Sequence, residues 1–389
     1  MNHAVLQPQV RTYLLEHLHE NVAAFVLRSH PFEIDNKELA QQLVGLQKAQ
    51  AKFPLLFNCE HVFYPPKVNL EQTSSWETAV YKSKIVQGDS MVDLTGGLGI
   101  DDIAFAKAYS TTIHVELDPD LQEIAAHNFK TLELPIESHQ GDGISFLKEA
   151  GLKFDLIYLD PSRKTAATNK AILLTDYEPD VTKHKELLFE KGEYIMIKTS
   201  PMLDITAGMR QLEHVAQIHI VAVKNEVKEL LWILKKNVEN TKMFAVNLAT
   251  NQPVFDFNLD STANIVIDSP KKYLYEPNAA IMKSQAFGEV CSQYGVSKID
   301  QDAHLFTRED LIQFPGRCFK ILEVHDYKPK IIKRQYGKGA HAVVTRNFRE
   351  SVKKLRTIFN FEEHETNYLF FTSIAGRGPV VIEAIKIRS

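Results

Sequence analysis

The fold class is indicated most directly by residues 92–101, which read Val92-Asp93-Leu94-Thr95-Gly96-Gly97-Leu98-Gly99-Ile100-Asp101. An apolar strand pattern precedes the glycines, and a helical pattern follows them. Glycines in such a turn let a ligand approach the backbone, and the N-terminus of the next helix supplies free N–H groups. The spacing differs from the Gly-x-Gly-x-x-Gly of nicotinamide cofactors, and Asp93 would repel a pyrophosphate but could hold a cationic amino group. A tight structural turn without a ligand is the alternative interpretation.

Strand and helix patterns alternate around this turn. Ser74 or Ser75 can begin a helix that runs through Ile85, and short apolar strands then alternate with helices, which predicts a parallel sheet covered on both faces. The strands Val215–Val223 and Glu229–Leu234 are joined by too few residues for a parallel crossover, so the last strand should be antiparallel. The other predicted strands are Met91–Leu94, Thr112–Glu116, Ile136–His139, Leu156–Leu159 and Tyr194–Lys198, and the helices between them are Asp101–Ala108, Pro119–Thr131 and Ile144–Glu149.

Two further acidic residues follow successive strands in the same way as Asp93. Glu116 ends the next strand, 23 residues beyond Asp93, where a carboxylate can bind both hydroxyls of a ribose. Asp142, in Gly141-Asp142-Gly143, follows the third strand and could accept a hydrogen bond from an adenine amino group. Each acid alone is more often a solvated loop residue, but three at successive strand ends indicate one nucleoside site.

Together these features resemble the cofactor site of the class I S-adenosylmethionine-dependent methyltransferases, over about residues 73–236. The resemblance implies a Rossmann-like seven-stranded sheet with one antiparallel strand, and S-adenosyl-L-methionine as cofactor. Thr95 departs from the family pattern, since many members have the first glycine there. The cofactor-binding residues that it implies are Asp93, Thr95, Gly96, Gly97, Gly99, Asp101, Glu116, Leu117, Asp142 and Gly143.

The fourth strand ends in Asp160-Pro161-Ser162-Arg163, which resembles the Asp/Asn-Pro-Pro-aromatic tetrad of enzymes that methylate base amino groups. In those enzymes the acid or amide and the proline carbonyl accept hydrogen bonds from the target amine, and most of the catalysis is then orientation. Ser162 and Arg163 depart from the tetrad, and Arg163 could stack on a base or bind a phosphate. Lys198, after the fifth strand, can neutralise a phosphate or pair with Asp160. These five residues are the predicted catalytic group; a strand-ending turn capped by proline is the alternative.

The basic C-terminal part of the chain suggests a nucleic-acid partner. Residues 319–389 carry 14 Lys+Arg against 7 Asp+Glu, whereas the first 318 residues carry 31 against 42. Basic residues interleaved with aromatic ones suit an RNA backbone with bases to stack on, although a solvated basic face is the alternative. The predicted RNA-binding residues are Lys333, Arg334, Tyr336, Lys338, Arg346 and Arg349.

The same region resembles the THUMP-like domain that accompanies a bacterial group of class I methyltransferases. The segment Tyr336–Phe348 carries this resemblance, and Tyr273–Phe319 looks like the small ferredoxin-like unit that precedes it. THUMP modules elsewhere bind transfer RNA, which implies RNA binding here. In better known enzymes the module comes before the catalytic domain, whereas here it comes after.

Composition and length restrict the remaining possibilities. With 44% hydrophobic and 24% charged residues, the 389-residue chain is neither disordered nor fibrous. Its three cysteines (Cys59, Cys291 and Cys318) predict neither a disulfide scaffold nor a cysteine-based zinc site, and none follows a predicted strand where pyrimidine-carbon methylation would need a nucleophile. No metal is required. No targeting or membrane-spanning pattern is present, so a cytoplasmic location is expected.

The sequence therefore predicts four regions and one principal function. The regions are an N-terminal helical region (1–72), a methyltransferase domain (73–268), a ferredoxin-like unit (269–319) and a THUMP-like basic domain (320–389). The predicted function is methylation of a base amino nitrogen, guanine or adenine, in tRNA or rRNA. The alternatives are a methyltransferase acting on a protein or small molecule, and a non-catalytic RNA-binding protein with a degenerate methyltransferase domain.

Overall fold

The computed structural model describes residues 1–163 and 173–387, and the chain divides into two compact units. The first unit comprises Met1–Ile218 with Glu229–Glu239, and the second comprises His219–Lys228 with Asn240–Ser389. The domain boundaries predicted after residues 72, 268 and 319 remain predictions.

The N-terminal part of the first unit is helical, as predicted. Asp35 begins the longest of these helices by accepting a hydrogen bond from the Lys37 N–H at 2.8 Å. Leu39, Leu43 and Leu46 lie on its buried face because they recur at helical spacing. The helices are α1 (Pro8–Glu16), α2 (Val22–Val26), α3 (Asn36–Lys52), α4 (Pro54–Asn58) and α5 (Lys67–Gln72), preceded by a 3-10 turn at His3–Leu6.

Alternating strands and helices follow the N-terminal helices along the chain. The helices are α6 (Trp76–Lys82), α7 (Ile100–Phe105), α8 (Pro119–Thr131), α9 (Gly143–Glu149), α10 (Lys185–Lys191) and α11 (Ile205–Gln211). The strands are β1 (Ser90–Asp93), β2 (Thr111–Glu116), β3 (Ile136–Gln140), β4 (Phe154–Leu159), β5 (Ser162–Arg163), β6 (Tyr177–Glu178), β7 (Gly192–Thr199), β8 (Val215–Val223) and β9 (Glu226–Lys235), with 3-10 turns at Leu174–Asp176 and Val181–Lys183.

The large sheet has the predicted mixed topology. Strand β1 lies between β2 and β4 and is parallel to both, and β7 continues the parallel run beside β4. Strand β9 pairs antiparallel with β7, which confirms the antiparallel strand expected from the short hairpin connection. The seven expected strands are present among the described residues. In the second unit, β10 (Lys242–Leu248) and β11 (Phe255–Asn258) pair antiparallel with each other.

The second unit contains another sheet, with seven strands in the order β13-β14-β12-β15-β18-β17-β16. Its strands are β12 (Tyr273–Pro277), β13 (Ser297–Lys298), β14 (Phe306–Arg308), β15 (Gly316–Asp326), β16 (Ala342–Thr345), β17 (Asn367–Ile374) and β18 (Gly378–Lys386). Its helices are α12 (Ala279–Ser284), α13 (Phe287–Tyr294), α14 (Pro329–Tyr336) and α15 (Val352–Phe359). Strand β17 is buried on both faces, because Tyr368 and Phe370 pack in one core cluster while Leu369 and Phe371 pack in the other.

Among the residues described, no helix combines the length and the apolar character that crossing a bilayer requires.

Candidate active site

The glycine turn after β1 is held between the ends of two neighbouring strands. The Leu94 N–H donates to the Tyr158 carbonyl on β4 at 3.1 Å, and the Gly96 N–H donates to the Val115 carbonyl on β2 at 2.9 Å. Gly99 has φ of 77°, and a Cβ there would lie 2.2 Å from Phe129 Cζ. Glycine is therefore required at position 99 both for the backbone conformation and for the close packing of α8.

The turn after β3 packs directly against the glycine turn. A Cβ on Gly143 would lie 2.2 Å from the Leu94 carbonyl oxygen, so only glycine allows this approach. Asp142 caps α9 by accepting a hydrogen bond from the Ser145 N–H at 2.7 Å. Asp142 itself is exposed to solvent. The structure thus brings together two of the strand ends that the sequence selected, and the adenine contact of Asp142 remains a prediction.

Glu116 faces the glycine turn from the end of β2. One of its carboxylate oxygens accepts from the Gly97 N–H at 2.7 Å, and the other accepts from the Asp118 N–H at 2.8 Å. A carboxylate oxygen can accept more than one hydrogen bond, so this orientation leaves capacity for ligand hydroxyl groups. Leu117, the next residue, is 66% exposed and offers an apolar surface beside the site.

Thr95 connects the two acids at the ends of β1 and β4. The Asp93 Oδ1 accepts hydrogen bonds from the Thr95 N–H at 2.7 Å and from the Thr95 hydroxyl at 3.1 Å. The same hydroxyl accepts from the Asp160 N–H at 2.6 Å. Thr95 stands where many members of the family have glycine, and its hydroxyl has a structural role here. It fixes the backbone of Asp160 relative to Asp93.

Replacing Thr95 by valine tests this connection. The variant keeps the side-chain shape but leaves the Asp160 N–H without its acceptor, so we expect the free energy of unfolding to fall by about 1–3 kcal/mol. Urea denaturation measures the change. Thr95→Ser, which keeps the hydroxyl, should lose at most about 1 kcal/mol, and an equal loss in the two variants would contradict the assignment.

Six ionisable side chains of the first unit, linked by ion pairs or by electrostatic interaction, form a group that we term the charged row: Asp93, Asp160, Lys198, Glu229, Lys82 and Asp101. Lys198 Nζ donates to Asp160 Oδ2. Lys82 is fully buried and lies 3.0 Å from Asp101 Oδ1 and 3.3 Å from both Glu229 oxygens. Helices α6 and α7 are therefore tied to β9 and, through Lys198, β7 is tied to β4.

Asp101 has an internal role that the sequence did not predict. Its Oδ2 accepts two hydrogen bonds from protein groups, the Ser74 and Tyr158 hydroxyls, both at 2.9 Å, and its Oδ1 forms an ion pair with Lys82. The cofactor contact expected for Asp101 remains a prediction.

The pKa shifts follow from burial and from charges within the row. Burial raises the pKa of Asp93 well above its usual range, and the negative charges of Asp101 and Asp160 add to this shift. Burial would lower the pKa of Lys198, but Asp160, Glu229 and Asp101 together raise it, so the ammonium form is retained. Because a nearby positive charge favours the ionised form of a carboxyl group, a cationic ligand beside Asp93 would oppose the rise in the pKa of that residue.

Lys82, Ser74, Tyr158 and Glu229 were not selected from the sequence, although two signals were present. Glu229 immediately precedes the apolar run Leu230–Leu234, where a carboxylate needs a partner when it is buried. Lys82 follows Ala79 and Thr78 at helical spacing, which places it on the buried face of α6. These signals indicate that each residue needs a partner but do not identify it.

The remaining tetrad residues lie in a short ribbon after the β4 edge. Pro161 is buried, whereas Ser162 and Arg163 are exposed. These two residues form β5 and pair antiparallel with β6, Ser162 opposite Glu178 and Arg163 opposite Tyr177. Both exposed side chains are accessible to a substrate, and their catalytic roles remain predictions.

His114 supports the glycine turn as a neutral side chain. Its Nε2 lies 3.2 Å from the Gly97 carbonyl and its Nδ1 lies 3.0 Å from the Ser138 hydroxyl. Burial lowers its pKa to about 4, from 6.5. These contacts give His114 a structural role.

The depressed pKa of His114 predicts a loss of stability in acid. As the pH falls, the unfolded chain binds the proton first, so this contribution is complete above about pH 6.5 and is lost towards about pH 4. Between pH 7 and pH 5 we expect wild type to lose about 2 kcal/mol more than His114→Gln, measured by urea denaturation at both pH values. The same loss in both proteins would show that His114 is protonated equally in the folded and unfolded states.

A solved structure is similar to this chain over nearly its full length. It is a "putative methyltransferase" from Porphyromonas gingivalis W83, which is 27% identical, with 99% of this chain and 98% of that chain covered and a TM-score of 0.87. Residues 273–315 match the ferredoxin-like domain family, and residues 316–385 match the THUMP domain-like family. The chain has the class I methyltransferase fold, followed by a THUMP-like domain.

Other solved structures are similar over less than half of this chain. The "putative methyltransferase" yhhF from Escherichia coli is 15% identical, covers 42% of this chain and 86% of its own, and gives a TM-score of 0.31. An RNA methyltransferase from Salinibacter ruber in complex with S-adenosyl-L-homocysteine is 18% identical. The match covers 42% of this chain and 92% of that chain and has a TM-score of 0.27. Scores this low carry no argument about function. No curated protein matches the chain.

The THUMP-like domain presents most, but not all, of its predicted RNA-binding residues. Lys333, Arg334, Lys338 and Arg349 are exposed. Tyr336 is only 6% exposed, because it lies four residues after Ile332 on the buried face of α14. Its hydroxyl donates to Glu383 at 2.9 Å. The expectation that Tyr336 stacks on a base is corrected, since its ring belongs to the core.

Arg346 is already engaged within the second unit. Its Nη2 lies 2.5 Å from Glu276 Oε1, and the other carboxylate oxygen of Glu276 contacts Arg317. The side chain of Arg346 remains partly exposed, so part of its guanidinium can still reach a ligand. Its RNA contact remains a prediction.

Proposed function

We propose that the chain is an S-adenosyl-L-methionine-dependent methyltransferase that transfers a methyl group to a base amino nitrogen of RNA, either tRNA or rRNA. The observation that carries this proposal is the placement of Asp160, Asp93 and Glu116 at the carboxyl ends of the adjacent strands β4, β1 and β2. In open α/β sheets, ligands bind at this edge. The methyltransferase fold and the basic THUMP-like domain support the same function.

The residues at this edge fit the cofactor. Asp93 and the turn at residues 95–99 would hold its amino acid part, and the oriented oxygens of Glu116 would accept from its ribose hydroxyls. Asp142 and the exposed Leu117 would contact the adenine. When bound, the cofactor supplies a methyl group on a positively charged sulfur, and a cationic ligand beside Asp93 favours the ionised form of that carboxyl group.

Asp160 would orient the target amine. Its side chain is 33% exposed and its backbone is fixed by Thr95. A carboxylate that accepts from Lys198 retains capacity for the N–H of an amino group, and the Pro161 carbonyl offers a second acceptor. These bonds would direct the nitrogen lone pair towards the methyl group, whose transfer would leave the electron pair of the broken carbon–sulfur bond on the sulfur while the nitrogen loses one proton to water. Orientation of this kind is the main contribution expected from the protein.

Transfer of a labelled methyl group from the cofactor to total RNA tests the function. We expect label in RNA, and nucleoside analysis should find it on an exocyclic nitrogen. Label in protein or in a small-molecule fraction instead would overturn the RNA assignment. Cofactor binding and RNA binding with no transfer would instead indicate a non-catalytic RNA-binding protein.

Lys333→Ala tests the RNA-binding role of the THUMP-like domain. Each phosphate contact that is lost lowers the dependence of the logarithm of affinity on the logarithm of salt concentration by about 1. We expect that change for Lys333→Ala, measured by titrating total tRNA at several salt concentrations. Lys148→Ala, at an exposed position in the last turn of α9, is the matched control and should leave the slope unchanged. Equal slopes in all three proteins would exclude this contact.

A further inference from the structure

The pairing of β4, β7 and β9 places Lys198 next to Asp160 and Glu229 on the same face of the sheet as Lys198. Leu159 is opposite Ile197 in the parallel pair β4–β7, so the next residues, Asp160 and Lys198, are neighbours. Lys198 is opposite Leu231 in the antiparallel pair β7–β9. Because side chains alternate along a strand, Glu229 lies on the same face as Leu231 and Lys198.

Asp160 is held at two points, unlike a solvated acid in a loop. Its N–H donates to the Thr95 hydroxyl and its carboxylate accepts from the Lys198 ammonium. The Lys198 side chain is only 13% exposed, so the surrounding protein restricts its conformation. The family tetrad requires an acceptor at position 160 and does not itself account for a lysine beside it.

Glu229 acts on Lys198 by its charge. It is buried, and its negative charge is one of those that keep Lys198 protonated despite desolvation. Lys82 in turn holds Glu229 through contacts of 3.3 Å to both oxygens. The ammonium beside Asp160 is thus supported from the interior of the first unit, by residues that would not touch a substrate.

We propose that Lys198 and Glu229 are positioning residues that hold Asp160 as the acceptor for the target amine. This inference rests on the proposed function. It explains why an acid rather than an amide stands at position 160, since a carboxylate pairs with Lys198 whereas an amide would leave the ammonium mostly buried and unpaired. Outer groups that orient a functional side chain typically change activity by about 10–100-fold when they are removed.

A double-mutant cycle on the full chain tests the proposal, with labelled cofactor and total RNA as the probes. Asp160→Asn and Lys198→Met should each lower kcat by about 10–100-fold, since each leaves one group unpaired. The double variant places a neutral acceptor beside a neutral side chain, so its kcat should recover to within about tenfold of wild type. The KM for the cofactor should stay within about threefold in all of them.

Two further variants separate positioning from stability. Lys198→Arg should retain more turnover than Lys198→Met because it restores the cation, and Glu229→Gln should lower kcat with a smaller effect on the KM. Lys148→Met is the matched control and should behave as wild type. Folded fractions are compared by circular dichroism before turnover is measured.

The outcomes are distinguishable. Losses that simply add in the double variant, or losses confined to the KM, would overturn the positioning role while leaving the proposed function intact. Absence of any methyl transfer by the wild type would overturn the proposed function and this inference with it. Recovery of kcat in the double variant supports both.

Discussion

Asp160→Ala is expected to lower methyl transfer to RNA by about 100-fold while the affinity for S-adenosyl-L-methionine stays within about threefold. The alanine removes the side-chain acceptor for the target amine, yet it keeps the backbone N–H that Thr95 binds. The reacting nitrogen then loses its orientation, and the cofactor contacts at Asp93 and Glu116 are unchanged. Single-turnover transfer of a labelled methyl group measures the effect.

Asp89→Ala is the matched control, because Asp89 is an exposed acid just before β1. It should transfer methyl groups at the wild-type rate. If Asp160→Ala were as active as this control, Asp160 would have no part in orienting the substrate. If it lost cofactor affinity to the same extent as turnover, its role would be in cofactor binding instead.

Lys82→Met is expected to lower the free energy of unfolding by about 3–5 kcal/mol, the largest effect on stability that the structure predicts. The variant removes the cation that Asp101 and Glu229 share, so two buried carboxyl groups lose their partner. Urea denaturation measures the change. Lys84→Met, two residues further along and exposed, should change stability by no more than about 0.5 kcal/mol.

Neutralising the acids should reverse part of this loss. A triple variant combines Lys82→Met with Asp101→Asn and Glu229→Gln, so that uncharged amides replace the two carboxylates that lost their cation. Removing a whole buried ionic group costs less stability than removing one of its members. A triple variant as unstable as Lys82→Met alone would indicate that packing of the lysine stem, rather than charge, determines its contribution.

The local elements of the first unit could be predicted from the sequence because their signals are local. Helix α8 begins at Pro119 after Asp118, a proline at the first helical position following an acidic cap, and it ends at Thr131 as expected. The short connection between β8 and β9 likewise required the antiparallel strand that the structure contains. In each case neighbouring residues determine the backbone.

The charged row could not be predicted in the same way. Lys82 and Glu229 are 147 residues apart in the sequence and meet only because the folded first unit brings α6 beside this residue of β9. The sequence indicates that a buried charge needs a partner, but the partner depends on tertiary packing. The same holds for Asp101, which lies in the glycine motif yet contacts Ser74, Tyr158 and Lys82.

Tyr336 lies in a segment whose sequence carries two signals, one for nucleic-acid binding and one for a helix with a buried face. An aromatic residue among basic ones is typical of nucleic-acid binding, but Ile332 and Tyr336 also have the i, i+4 spacing of a helix with one buried face. The structure forms that helix, so Lys333 and Arg334 remain exposed while the ring enters the core. Helical periodicity within the basic segment would have separated the two kinds of residue.

Calorimetric titration of S-adenosyl-L-methionine into the full chain tests the central claim most directly. Wild type should bind one equivalent, and Asp93→Asn should bind at least about 100-fold more weakly, because the amide cannot pair with the cationic amino group. Lys148→Met should bind as wild type does. No binding by the wild type, or equal affinity in wild type and Asp93→Asn, would contradict the assignment of the cofactor to this edge of the sheet.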